Sequence, residues 1–187
     1  MMRHIDLGSV LRGTVSEQYT NLVTRPTGHA VRGAIEALLG DAVEDVVTVI
    51  DFTHVGLLDY SCADEIIAKL LQRYDAREPA DLPGAVFFVF RGLNEAHLES
   101  IEWVLQHHGL ALVAEEADGH PQLIGAVDDE ARRIFSIVGE IGACSALVVA
   151  EQAGLEPGRA EQALVELWRR RLLRRENDVF VPARHVS

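Results

Sequence analysis

"VVTVIDFTHVGLLDYSCADEIIAKLL", residues 46–71, changes its hydrophobic period halfway along, and that change sets the fold class. Val46–Phe52 is rich in β-branched residues and apolar at both alternate positions, as expected of a strand buried on both faces. From Ser61 onward, Ala63, Ile66, Ile67, Leu70, Leu71 and Tyr74 recur at three- and four-residue spacing, the period of an amphipathic helix. The strand closes on Asp51, a short irregular piece follows, and the helix opens on Asp59, Tyr60 and Ser61. A doubly buried strand leading into a helix is the building unit of an α/β layer structure.

The same alternation extends in both directions. Ile5–Leu7 reads as a short first strand, and Val31, Ile35, Leu38 and Leu39 share one helical face that stops at Gly40. "AVFFVF" at 85–90 is a second buried strand. Leu98, Ile101, Val104 and Leu105 mark a helix closed by Gly109, and "LALVAE" (110–115) and "PQLIGA" (121–126) are two short strands. Residues 1–127 are therefore expected to form an α/β domain, a mixed sheet with packed helices. Near Val127–Asp129 the pattern changes. Ala131, Ile134, Phe135, Val138 and Ile141 form a helical stripe ended by Gly142, and "SALVVAEQAGL" gives a second helix turning at Gly154. Ala160, Ala163, Leu164 and Leu167 define a third helix, about Gly158–Leu172, and "LLRRENDVFVPA" reads as two strands around a turn at Glu176–Asp178. Three helices followed by a hairpin resemble a winged helix-turn-helix, so residues 128–187 are expected to form that second, smaller domain.

Composition removes whole classes of chemistry. Lys69 is the only lysine among 17 basic residues, and it follows "DEIIA" rather than a glycine-rich turn. Phosphate-loop and Schiff-base lysine enzymes are thereby excluded. Cys62 and Cys144 lie far apart, which argues against a disulfide framework and makes a reducing cytoplasm the expected setting. The N-terminal stretch lacks the apolar core of a signal peptide, and no apolar run reaches the roughly 20 residues of a membrane span. Charge is uneven: residues 1–127 carry 19 acidic and 8 basic side chains, net −11, whereas 128–187 carry 10 and 9, net −1. The acidic front half repels nucleic acid and anionic membranes.

Chemistry concentrates at the corner. Ser61 is a good N-cap, and Asp64 three residues later completes the pattern of a capping box. The whole stretch, an apolar strand ending in Asp51, an apolar loop, then Asp-x-Ser opening a helix, resembles the STAS domains of bacterial anti-sigma-factor antagonists. "DYSCADEII" is also similar to a STAS-like family of unknown function whose helix often begins Ser-Phe-Ala-Asp-Glu, with a preceding arginine corresponding to Arg25 in "LVTRPTGHAV". The resemblance covers roughly residues 20–127. It implies that Ser61 is a phosphoacceptor and that Asp59, Tyr60, Ser61, Asp64 and Glu65 bind a protein partner, a kinase-like ATPase or an anti-sigma factor. Two departures stand out: Cys62 replaces the glycine after the phosphorylated serine, and Asp64 replaces a second small residue. A phosphate on Ser61 would gain from the helix N-terminus and be opposed by Asp59, Asp64 and Glu65.

Other residues carry less. The eight histidines include His97, His107, His108 and His120, none in a zinc-binding spacing, and surface positions are expected for them. Ser61 lacks a G-x-S-x-G setting, and Cys62, among carboxylates, is expected to be a buried or half-buried thiol. Neither catalysis, metal nor cofactor is expected. In the C-terminal segment Arg159, Arg169, Arg170, Arg174 and Arg175 form the only electrostatic footprint for DNA backbone, whereas Glu161 and Glu166 oppose it. Two readings follow. The chain is a cytoplasmic regulatory protein that binds a protein partner, or a DNA-binding transcription regulator whose front domain senses or dimerises. The winged helix can equally be a partner-binding or homodimerisation unit.

Overall fold

The computed structural model describes residues 1–40, 44–75 and 84–184. Five strands form one sheet in chain order: β1 (Met2–Asp6), β2 (Val46–Asp51), β3 (Val86–Arg91), β4 (Ala111–Glu115) and β5 (Pro121–Gly125). The first four run parallel, with Ile5 beside Ile50 and Ile50 beside Phe90, and β5 returns antiparallel to β4. This is an α/β fold with a mixed sheet and packed helices.

Connectivity explains which side the first helices take. Successive parallel strands joined by right-handed crossovers place every connecting helix on one face. That face is covered by α1 (Leu7–Thr14), α2 (Arg25–Leu39), a continuous helix made of α3 (Tyr60–Ala63), a π-helical stretch (Asp64–Ala68) and α4 (Lys69–Arg73), and α5 (Glu95–His108). Ile5, Ile50, Val86, Phe88, Phe90 and Leu112 meet Leu11, Val31, Ile35, Ile66, Ile67 and Ile101 there in one buried cluster.

The intervening strand residues point the other way and are just as apolar. Val47, Val49, Phe87, Val89, Val113 and Leu123 are covered by α6 (Asp129–Ile141), α7 (Ala146–Ala153), α8 (Pro157–Arg169) and the hairpin β6–β7 (Leu173–Glu176, Val179–Pro182). Ile134, Phe135, Val138, Leu164, Leu167 and Phe180 complete this second cluster, so residues 128–184 share a core with the sheet. A backbone bridge between Cys144 and Phe180 ties the α6–α7 connection to the hairpin. The molecule is three layered: helices, sheet, then helices with a hairpin.

Several local expectations shift. The first strand is Met2–Asp6, and Leu7 opens a helix that the sequence reading passed over. Asp6 caps it, accepting from the amides of Gly8 at 3.0 Å and Ser9 at 3.3 Å. Leu38 is 57 % exposed, because the buried stripe of α2 runs through Gly28, Val31, Ile35 and Leu39. The third C-terminal helix stops at Arg169, three residues before its expected end, and Arg171 turns the chain with φ 59°.

Candidate functional site

The corner after β2 is organised by one carboxylate. Asp59, in extended conformation, caps α3: its Oδ1 accepts from the amide of Cys62 and the hydroxyl of Ser61, each at 2.8 Å. Its Oδ2 accepts from the amide of Thr24 at 3.1 Å. The N-cap is therefore Asp59 and not Ser61, which lies half-buried within the first turn, and Asp64 closes no capping box. Two carboxylate oxygens together reach three donors here, a span that the single oxygen of a serine hydroxyl lacks. Burial alone would raise the pKa of Asp59. The bonds from Cys62, Thr24 and Ser61 outweigh it and hold the carboxyl below the usual range.

A strap of residues 20–25 runs along the loop before α3. Leu22 N donates to Leu57 O at 2.7 Å, Asp59 N to Leu22 O at 3.0 Å, and Gly56 N to Thr20 O at 2.7 Å. Thr24 is held at φ 75°, a region that β-branched side chains rarely enter. Its carbonyl accepts from the Cys62 thiol at 3.0 Å. Burial, with Asp59 beside it, pushes the Cys62 pKa up to about 12, so the sulfur stays a neutral donor.

Beyond the first turn the helix carries an ion cluster on its π-helical stretch. π-turns open a helix locally and recur at functional sites. Asp64 pairs with Arg25 at 2.8 Å and His108 at 2.7 Å. Glu65, only 3 % exposed, pairs with Arg25 at 2.8 Å and with Lys69, while Arg32 and His29 stand at 3.7 and 3.8 Å from its other oxygen. Burial acts to raise the Glu65 pKa, but the hydrogen bonds from Lys69 and Arg25 prevail and lower it. Gly28 makes this approach feasible, since a Cβ there would sit 2.9 Å from the Glu65 Cβ and 3.1 Å from the Cys62 Cα. Glu65 thus lies inside the fold. Of the expected docking residues, Tyr60 is the most open, at 46 % exposure.

Around Tyr60 lies a patch that the sequence reading missed. Trp103, 58 % exposed on α5, has its ring centroid 5.3 Å from that of Tyr60. His107 stacks on Trp103 at 5.3 Å with 3° between the planes, and Leu57 is exposed in the preceding loop. The available signal was Trp103 itself, an aromatic beside the 98-101-104-105 stripe rather than within it.

The histidines divide. His97 is buried rather than superficial: Nδ1 accepts from the Asn94 amide at 3.3 Å, which leaves Nε2 to donate to Gly56 O at 2.6 Å and fixes the loop on α5. His107 and His120 are exposed. Among the described residues no group of three or more His, Cys, Asp or Glu side chains converges on a metal position.

Of the C-terminal arginines, Arg170 and Arg171 turn inward and the others lie at the surface. Arg170 donates to Ala126 O at 2.8 Å, and Arg171 lies over the Phe87 ring at 5.5 Å. Arg159 pairs with Glu130 at 2.9 Å, and Arg174 with Glu176 at 3.1 Å. Arg175 lies over the rings of Trp168 and Phe180, at 5.8 and 5.4 Å, and Arg169 is exposed. Among the described residues, no helix is long and apolar enough to cross a membrane. No family model, curated protein or solved structure matches this chain.

Proposed function

We propose that this chain is a non-catalytic regulatory protein, a STAS-like domain with a C-terminal winged helix, that binds a protein partner at the Asp59–Asp64 corner. The observation that carries the reading is the exposed Tyr60–Trp103 pair directly beside the half-buried Ser61, whose hydroxyl is held by Asp59 at 2.8 Å. Exposed aromatics are the usual anchors of protein interfaces. Phosphorylation of Ser61 would remove the proton donated to Asp59 and set about two negative charges against that carboxylate. Asp59 also holds the strained Thr24, so repulsion there would loosen the 20–25 strap and alter the surface offered to a partner. Engagement of Arg170 with Ala126 O and pairing of Arg159 and Arg174 with Glu130 and Glu176 favour a protein partner over DNA, and the raised Cys62 pKa removes its thiolate from consideration as a nucleophile.

The test uses full-length wild type, Ser61→Ala and Ser61→Asp as baits in native extract, with mass spectrometry of the endogenous chain for phosphate on Ser61. The expected result is a protein retained by Ser61→Ala and lost by Ser61→Asp, or the reverse. Identical retention by all three, with Ser61 unmodified, would remove the switch.

A further inference from the structure

The exposed aromatic patch has an acidic border, and the two together specify the chemistry of what covers them. Glu95, Glu99 and Glu102 recur at i, i+4 and i+7 along α5 and are all exposed. None of the three forms a salt bridge among the described residues. Like charges at this spacing repel one another, a standing cost that a cationic partner relieves. Trp103 sits one residue from Glu102 and one turn from Glu99, so the indole and the carboxylates share a border of the helix. His107 covers one face of the indole without closing it, since Trp103 keeps 58 % of its surface open. Electrostatic complementarity sets partner choice and association rate, while an aromatic anchor supplies the dissociation barrier.

We infer that Tyr60, Trp103 and His107, bordered by Glu95, Glu99 and Glu102, form the docking surface for a basic amphipathic protein segment, with apolar side chains seated on Trp103 and Lys or Arg beside the glutamates. The inference rests on the partner-binding reading above and adds the partner's chemistry. It concerns α5 as much as the serine corner.

The probe is a short, fluorescently labelled amphipathic helix of leucine and lysine, titrated into the full chain by anisotropy across a salt series. Controls are the same helix with glutamate for lysine and an oligolysine of equal charge. The leucine–lysine helix should bind with salt-dependent affinity and the acidic helix should not. Trp103→Ala should weaken binding roughly tenfold or more. Glu99→Lys with Glu102→Lys should slow association and flatten the salt dependence. Trp168→Phe leaves Trp103 as the sole tryptophan, whose emission should shift on binding. An unchanged affinity in Trp103→Ala, or oligolysine binding as tightly as the amphipathic helix, overturns the assignment. So does concentration-dependent self-association of the wild type that Trp103→Ala abolishes, because the occupant is then a second copy. If Ser61→Asp binds the peptide like wild type, the serine switch falls while this surface stands. A null Trp103 result removes the surface and leaves the serine to its own test.

Discussion

The two faces of the sheet are equally apolar but are covered by different means. One is roofed by α1 to α5, which the right-handed crossovers deliver there as the chain is laid down. The other waits for residues 128–184, which return from the end of β5 to cover Val47, Val49, Phe87, Val89 and Val113. Charge divides in the same way. On the first face Glu65 gathers Arg25, Arg32 and Lys69 around a buried carboxylate. On the second the two arginines nearest the sheet meet a carbonyl and a ring, Arg170 on Ala126 O and Arg171 over Phe87. The first layer holds a buried carboxylate at its centre, whereas the ion pairs of the second, such as Arg159–Glu130 and Arg174–Glu176, lie nearer the surface.

Removing the second layer should have the largest effect. A chain ending at Val127 exposes a full apolar sheet face, and patches of that size drive association. It should aggregate or unfold without cooperativity, read by size exclusion and thermal melting. A monomeric fragment with a sharp transition would show that the second layer is an appendage and that the two faces do not depend on one another.

Next is the carboxylate at the centre of the first layer. Glu65→Ala removes the buried acceptor shared by Arg25 and Lys69, leaves Arg32 to Glu36 and Arg25 to Asp64, and should cost about 2–3 kcal/mol in denaturant unfolding. Arg170→Ala, on the second layer, removes charge-assisted bonds to Ala126 O and Gly109 O and should cost about 1–2 kcal/mol. Equal losses would erase the contrast between ionic and carbonyl locking.

Acid should weaken the carboxylate cluster of the first layer. Asp59, Asp64 and Glu65 all have lowered pKa values: burial opposes, but the bonds from Cys62 and Thr24, from Arg25 and His108, and from Lys69 and Arg25 prevail. Carboxyls depressed in the folded state contribute stability above their ordinary values, 3.8 for Asp and 4.5 for Glu, and lose it as pH falls through the lower folded values. Tm should therefore drop as pH falls below about 4, and less so in Glu65→Gln. A pH-independent Tm over that window would deny the carboxylates this role.

Smallest is the cap. Asp59→Ala should cost about 1–2 kcal/mol and Ser61→Ala about 0.5 kcal/mol, because Asp59 serves three donors and Ser61 only donates to it. The reverse order would return the cap to Ser61. Duplex DNA binding by the full chain, followed across a salt series, should be weak, with a shallow slope set by Arg169 and its neighbours.

The strands and most helices were legible in the sequence because burial on both faces leaves a direct trace: "VVTVID" and "VFFVFR" have no polar alternation to hide. α1 was missed because Leu7 follows Ile5 closely enough to read as strand, and only the Asp6 carboxylate starts a helix there. Cap identity was misplaced by two residues because Asp59 and Ser61 are both good caps in isolation. The choice depends on Thr24, 35 residues away, whose amide takes the second oxygen of Asp59.

The sequence by itself determined the alternation of strands and helices, the acidic front half, the lone lysine and the chemistry of the corner, since each follows from local period or composition. The tertiary structure decided what covers the second face of the sheet, why Glu65 lies inside, and which aromatics remain outside. Those outcomes depend on contacts between residues far apart in the chain, such as Gly28 against Glu65, Tyr60 against Trp103 and Arg171 against Phe87. No local period records such contacts, because they are set by how the layers pack and not by how each element forms.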